Sequence, residues 1–515
     1  MKEFRNEPVL DFRDVKNIRK QRAALEQVRL QLGKEYPNII AGKRVYSESK
    51  TISRNPARPE EVIGVFQKSG TDHAEQAITA ALKAFEQWKN VPPKQRARYL
   101  FKAANEIRRR RFEINAWMIR EVGKNYTEAD ADTCEAIDFL EFYGREMLRY
   151  AESQPVTPVP GETNELFYIP LGVGVILPPW NFPFAILVGM TSAAIVTGNT
   201  VVLKPSSDSP MMGWLFAEIM QSVGLPKGVL NFLVASGAEA GDYLVAHPKT
   251  RFIAFTGSME VGLHINELAA KPQPGQIWIK RVVAEMGGKD AIIVDSEADL
   301  DAAVQGVVTS AFGFQGQKCS ACSRAIVDRA VYKEFVAKLR DAVAALHVGP
   351  PEDNYSVGPV VSERQKNTVL QYIEIGKQEG KLLIGGNAIE HEDGGYYIEP
   401  TVFVDVKPTA RIAQEEIFGP VLAVIKARDF DDALRIANGT IYGLTGAVYS
   451  RNRKKLERAR IEFHVGNLYL NRKCTGALVG GHPFGGFNMS GTDSKAGGRD
   501  YLLLFLQAKS VSRKL

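Results

Sequence analysis

Between residues 171 and 258, short β-branched apolar runs alternate with longer segments of helical spacing. LGVGVILPP (171–179), NTVVLKPS (199–206) and TRFIAFTGS (250–258) read as buried strands, each followed by helix-compatible sequence. FAILVGMTSAAIVT (184–197) is apolar on every side and is bracketed by Pro183 and Gly198. At 14 residues it is short for a membrane span and suits a buried helix. Upstream, KQRARYLFKAANEIRRRRFEINAWMIREVGK repeats apolar residues at helical spacing, so the run Arg108 to Arg111 is expected on a solvated helix face. YAESQPVTPVPGETNELFY carries three prolines, which fits an exposed projecting hairpin, and FLQAKSVSRKL at the end reads as a terminal strand. This βα alternation predicts an α/β chain with a parallel sheet, whose ligands bind at the carboxyl ends of the strands.

Length turns that one pattern into several domains, because 515 residues exceed what a single core accommodates. Charge adds little: 65 basic against 59 acidic residues leave +6 over the whole chain, so neither nucleic acid nor a membrane is expected as a partner. The opening MKEFRNEPVLDF has no apolar h-region, and four cysteines do not make a disulfide scaffold, so a cytoplasmic protein is expected.

Candidate chemistry centres on FGFQGQKCSACSR (312–324), where Cys319 follows two glycines, two glutamines and Lys318. Cys319 and Cys322 have the C-x-x-C spacing of a redox pair, but they fall deep inside a long chain. Zinc would need two more ligands, and His391, His464 and His482 stand isolated, so no metal is expected. A buried structural cysteine remains open on Cys319 alone. A nucleophilic thiol would need an oxyanion donor and a base for later water chemistry. Asn181 in PPWNFPF and Glu285 in AEMGGKD are of the right types. Cys322, one helical turn on if the segment is helical, reads as a packing residue, and Cys134 and Cys474 carry no motif of their own.

On the cofactor side there is no G-x-G-x-x-G. Gly257 and Gly262 in FTGSMEVG stand instead where a strand gives way to a helix, and helix N-terminal amides suit phosphate. Lys204 ends an apolar strand, where a buried ammonium is costly unless paired.

In order, PWNFP, VVLKPS, FTGSMEVG, EMGGKD, GQKC, EEIFGP and PFGG span nearly the whole chain, and together they resemble the aldehyde dehydrogenase superfamily. The resemblance implies a Rossmann-type cofactor domain (1–150 and 168–282), an α/β catalytic domain (283–484) and a small β oligomerisation arm (151–167 and 485–515). It also implies a homo-oligomer built from dimers. It implies that Cys319 attacks an aldehyde, that Asn181 and the Cys319 N–H hold the oxyanion, and that Glu285 activates the water that releases the acid. Lys318 would favour the thiolate if its charge were close.

By the same resemblance the cofactor is NAD, held by Pro179, Trp180, Lys204, Ser206, Ser207, Gly257, Ser258, Gly262, Glu416 and Phe418. Lys204 is expected on the adenosine ribose, Ser258 on the pyrophosphate, Glu416 on the nicotinamide ribose and Phe418 against the ring. Many NAD-preferring relatives carry a carboxylate three positions after the lysine. Ser207 stands there instead, so NADP is expected to be accepted with NAD still preferred.

The loop CTGALVGGHPFGGFNMSG (474–491) with GQKCSACSR resembles the members that oxidise glutamate γ-semialdehyde, the open form of 1-pyrroline-5-carboxylate. That likeness implies that Ser320 and the amides of Gly476 and Ala477 hold the substrate carboxylate, while Phe184 and Phe484 sandwich its aliphatic chain. Lys318 is implied among the substrate-binding residues as well, and Glu135 would order it or meet the amino group. A longer semialdehyde such as α-aminoadipic semialdehyde is the alternative, since one methylene changes pocket affinity by only about 1–3 kcal/mol. A CoA-dependent acylating enzyme would not need Glu285. A silent binding protein would have to retain Cys319, Asn181 and Glu285 by accident.

Overall fold

Two seven-stranded sheets organise the computed structural model, which describes residues 3–515. In the first sheet the strands lie in the order Arg281–Glu285, Thr250–Thr256, Val173–Leu177, Thr200–Leu203, Leu230–Phe232, Asn38–Ile40 and Lys43–Val45. The first five are parallel, and the last two are joined antiparallel at the edge. The apolar runs at 171, 199 and 250 therefore become neighbouring central strands, buried on both faces as parallel strands are. The helix Ala185–Val196 is buried along nearly its whole length.

The second sheet runs Lys381–Ile384, Thr401–Val404, Val421–Ala427, Cys322–Asp328, Asp290–Val294, Thr445–Tyr449 and Asn467–Leu470, with only the first pair antiparallel. The chain crosses between the sheets in Met286 to Lys289. The expected boundary at 282/283 thus falls a few residues early: Arg281–Glu285 pairs with Thr250–Thr256 in the first sheet. The Gly-Gly pair has a steric reason. A Cβ on Gly287 would run into the Glu416 carboxylate, and one on Gly288 would lie 2.6 Å from the Cys319 carbonyl.

The arm differs from a self-contained hairpin. Glu162–Pro170 pairs antiparallel over its length with Leu506–Lys514, and the three prolines lie in the irregular stretch before it. Tyr168 therefore belongs to the arm strand rather than to the cofactor domain. Residues 485–505 are not arm either, since Tyr501, Leu502 and Phe505 pack into the first core.

The arginine run also departs from expectation. The helix breaks at Arg110, between Pro93–Arg109 and Arg111–Val122, and only Arg109 is largely exposed. Arg111 is buried against Asp130 at 2.5 Å, Arg110 meets Glu113 and Glu218, and Arg108 meets Glu7 and Glu141. Arg108, Arg110 and Arg111 thus form ion pairs that tie the N-terminal segment and the helices together, while Arg109 stays in solvent and pairs with Glu106 of its own helix. Among the described residues, no helix is long and apolar enough to cross a membrane.

Candidate active site

Cys319 sits in a turn between the helix Leu300–Phe312, with its 3₁₀ extension Gly313–Gly316, and the strand Cys322–Asp328. Phe314 and Gln315 take left-handed backbone, φ 50° and 57°, to turn the chain sharply there. Asn181 Nδ2 donates to the Gln317 carbonyl at 3.0 Å, so the PPWNFPF turn is tied to the segment carrying the cysteine. A second brace is the buried pair Lys124–Asp132 at 2.8 Å. Asp132 also accepts from the Ala185 N–H at 2.6 Å, and the Lys124 ammonium lies 4.2 Å from the Phe182 ring.

Two cavities meet at Cys319, sharing Phe255, Thr256 and Met286 as well. The first opens at the carboxyl ends of the first sheet. Pro179, Trp180, Asn181, Lys204, Ser206, Ser207, Gly257, Ser258, Glu416 and Phe418 all line it. Gly262 does not, because it lies beneath Met286, and its missing side chain serves the packing of helix on strand. Ser258 caps the helix Met259–Ala270, its hydroxyl oxygen accepting from the Val261 N–H at 3.4 Å. Among the described residues Lys204 is held only by the carbonyls of Pro205 and Ala235, and burial pulls its pKa down to about 8. The Glu416 carboxylate accepts from the Gly288 N–H at 3.0 Å, and burial lifts its pKa to about 7. Trp180 and Phe418 meet edge to face, 5.5 Å between centroids. An elongated wall with a buried ammonium, a carboxylate, an aromatic pair and a helix N-terminus suits a dinucleotide.

Sequence reasoning missed Arg364 and Gln365, at the start of the helix Glu363–Glu379, on this wall. They lie far from every cofactor motif in the chain, and only the fold brings them there.

The second cavity lies on the other side of Cys319. Glu135, Glu285, Ser320, Gly476, Ala477 and Phe484 line it, with Phe182, Tyr143 and His482. Two expected residues are absent. Phe184 is fully buried against Phe216 at the start of the helix Ala185–Val196, and Phe182, two positions earlier in the same motif, lines the cavity with Phe484 instead. Lys318 turns away from both cavities and pairs with Glu128 at 3.4 Å rather than with Glu135. It therefore offers the thiol no close cation. Burial, with the negative field of Asp290, Glu416 and Glu285, holds the Cys319 thiol well above its ordinary value, and the Ser320 N–H opposes this. Burial beside Asp132 raises Glu135 to about 8.

Glu285 ends the strand Arg281–Glu285 beside Thr256. Its carboxylate accepts from the Ser494 hydroxyl and from the Gly486 N–H at 3.2 Å, and burial sets its pKa at about 7. Nothing in the sequence around Ser494 marks that contact. Cys322 is buried, as packing would have it. Among the described residues no cluster suited to a metal occurs.

A model of the aldehyde dehydrogenase family matches residues 45–511. The chain is 59% identical over 510 residues to the 1-pyrroline-5-carboxylate dehydrogenase of Geobacillus thermodenitrificans (strain NG80-2), covering 99% of each chain. It is 54% identical over 510 residues to 1-pyrroline-5-carboxylate dehydrogenase 2 of Bacillus subtilis (strain 168), again covering 99% of each. Among solved structures, a 1-pyrroline-5-carboxylate dehydrogenase from Thermus with bound NAD superposes with a TM-score of 0.98 at 53% identity, all of both chains being covered.

Proposed function

The chain belongs to the aldehyde dehydrogenase family, and from that premise we propose that it oxidises L-glutamate γ-semialdehyde, the open form of 1-pyrroline-5-carboxylate, to L-glutamate. The observation that carries this reading is the meeting of two cavities at one cysteine. One has a wall suited to a dinucleotide. Ser320, Gly476 and Ala477 line the other, offering a hydroxyl and backbone amides to a carboxylate. The names of the relatives agree with it.

NAD fits the first cavity, since Lys204 and Glu416 face it with hydrogen-bonding capacity left for ribose hydroxyls. Bound there, it supplies a hydride acceptor. Cys319 Sγ, its proton given up to solvent, bonds to the aldehyde carbon as the C=O π bond opens, and the Asn181 amide with the Cys319 N–H stabilises the oxyanion. Asn181 keeps one amide hydrogen beyond the one given to Gln317. Once the hydride has left, the carbon is a thioester of Cys319. Glu285 removes a proton from the attacking water, the carbon–sulfur bond breaks, and the acid departs. A carboxyl with a pKa of about 7 suits a general base at neutral pH. Phe182 and Phe484 flank the aliphatic chain. We further infer that the strands Glu162–Pro170 and Leu506–Lys514 join copies of the chain in a homo-oligomer.

Initial rates of NADH formation test the reaction. Pyrroline-5-carboxylate should exceed butanal and pentanal in kcat/KM, and Cys319→Ser should form no NADH with any of them. Equal rates on all aldehydes, or substantial turnover by Cys319→Ser, would overturn the reading.

A further inference from the structure

Among the described residues no lysine or arginine lines the substrate cavity, and the structure shows what holds its Gly476–Ala477 loop in place. Arg472 Nη2 donates to the Thr475 carbonyl and to the Gly476 carbonyl, both at 3.1 Å. The same guanidinium lies 4.3 Å from the Tyr469 ring centroid and 3.3 Å from His482 Nε2. His482 in turn accepts from the Leu478 N–H through Nδ1 at 3.1 Å. One nitrogen, Nη2, thus fixes two consecutive peptide planes, and the histidine held by Nη1 fixes the next one through Leu478.

No peptide in the described chain is cis. In a trans peptide the N–H points opposite to the C=O. The Thr475 carbonyl belongs to the peptide whose N–H is Gly476, and the Gly476 carbonyl to the peptide whose N–H is Ala477. With both carbonyls turned to one guanidinium, both N–H groups turn to the other side. Neither donates to a protein acceptor among the described residues. Gly476 has φ +78°, the left-handed backbone that lets successive amides converge on an anion. Both residues line the cavity that contains Cys319.

We propose that Arg472 is a positioning residue for carboxylate recognition: its Nη2, bound to the Thr475 and Gly476 carbonyls, aims the Gly476 and Ala477 amides at the substrate carboxylate. This rests on the semialdehyde reading above. The arginine acts through the loop, and its bonds also polarise the two peptides so that their N–H groups become better donors. Charge alone does not meet this geometry. The guanidinium holds the two carbonyls through Nη2 and His482 through Nη1 while it lies over the Tyr469 ring, whereas a lysine ammonium is a single nitrogen with no plane to stack.

The test compares kcat/KM for pyrroline-5-carboxylate with that for pentanal, which has no carboxylate, in the full-length protein. In Arg472→Met and Arg472→Lys the ratio should fall about ten- to a hundredfold, the range of a lost hydrogen bond to a charged group, with most of the loss in KM. If both substrates lose equally, Arg472 supports the fold or the chemistry at large and the proposal fails. If Arg472→Lys keeps the wild-type ratio, charge suffices and the positioning role fails. Ala477→Pro, which deletes one of the two amides, separates the layers. A fall in the ratio there, with none in the Arg472 variants, overturns the role of Arg472 alone. An unchanged ratio in Ala477→Pro overturns the amide–carboxylate reading and this inference with it.

Discussion

Glu285 shows how much of the proposed chemistry is set by the surroundings of a single side chain. Burial raises its pKa to about 7, while the Ser494 hydroxyl and the Gly486 and Ser494 amides pull it back down. A base must be ionised to take a proton from water, so thioester hydrolysis should slow as pH falls below about 7, by up to tenfold per unit. Glu285→Gln should remove that dependence and leave a burst of NADH before a slow steady state. Stopped-flow absorbance across pH 5.5 to 8.5 measures both, and loss of the burst itself would place Glu285 in an earlier step. The identities of Cys319, Asn181 and Glu285 are legible in GQKC, PWNFP and EMGGKD, because each motif carries its own turn. Which phenylalanine of PWNFPF faces the cavity is not legible. Phe182 and Phe184 differ only in how the turn enters the helix Ala185–Val196, and the core claims the second.

At the level of elements, the terminal strand is the clearest case of a segment whose role depends on a distant partner. Leu506–Lys514 is exposed along all but its first two residues, yet it pairs residue for residue with Glu162–Pro170. An isolated two-stranded ribbon is marginal in water and presents unpaired edges. That is the physical ground for assigning it to contacts between copies. Deleting residues 507–515 should lower the sedimentation coefficient to that of a smaller assembly, while the first core, which holds Tyr501 and Phe505, stays folded by near-UV circular dichroism. Sedimentation identical to the full chain would remove the arm from assembly. Proline content pointed to an exposed projection here, but composition could not show that its partner lies more than three hundred residues away.

The whole molecule decides cofactor choice, because the dinucleotide wall is built by both halves. Lys204, Ser207 and Asp208 come from the first, and Arg364 from a helix that packs into the second core through Val369 and Ile373. KPSSDSP alone shows one basic residue. The fold adds Arg364, exposed and making no ion pair among the described residues, near enough to oppose the rise in the Asp208 pKa. NADP should therefore be accepted, with NAD preferred because Asp208 lies beside the same site. Ser207→Glu should cut kcat/KM for NADP sharply and that for NAD only a few-fold, and Arg364→Ala should lower NADP use more than NAD use. Absence of NADP turnover in the unmodified protein, or an unchanged ratio in both variants, would show that neither residue faces the 2′ position.

The sequence by itself determined the alternating strand-and-helix plan and the chemical types at the reacting centre, since periodicity and tight-turn motifs are local properties of the chain. The tertiary structure alone decided which side chains converge. It sent Lys318 to Glu128, buried Phe184, drew Arg108, Arg110 and Arg111 into ion pairs across elements, and brought Ser494 to Glu285 and Arg364 to the cofactor wall. The reason is physical: a charge or a ring settles wherever burial, pairing and packing together leave the lowest free energy. For these residues the deciding partners are supplied by segments that no local pattern connects.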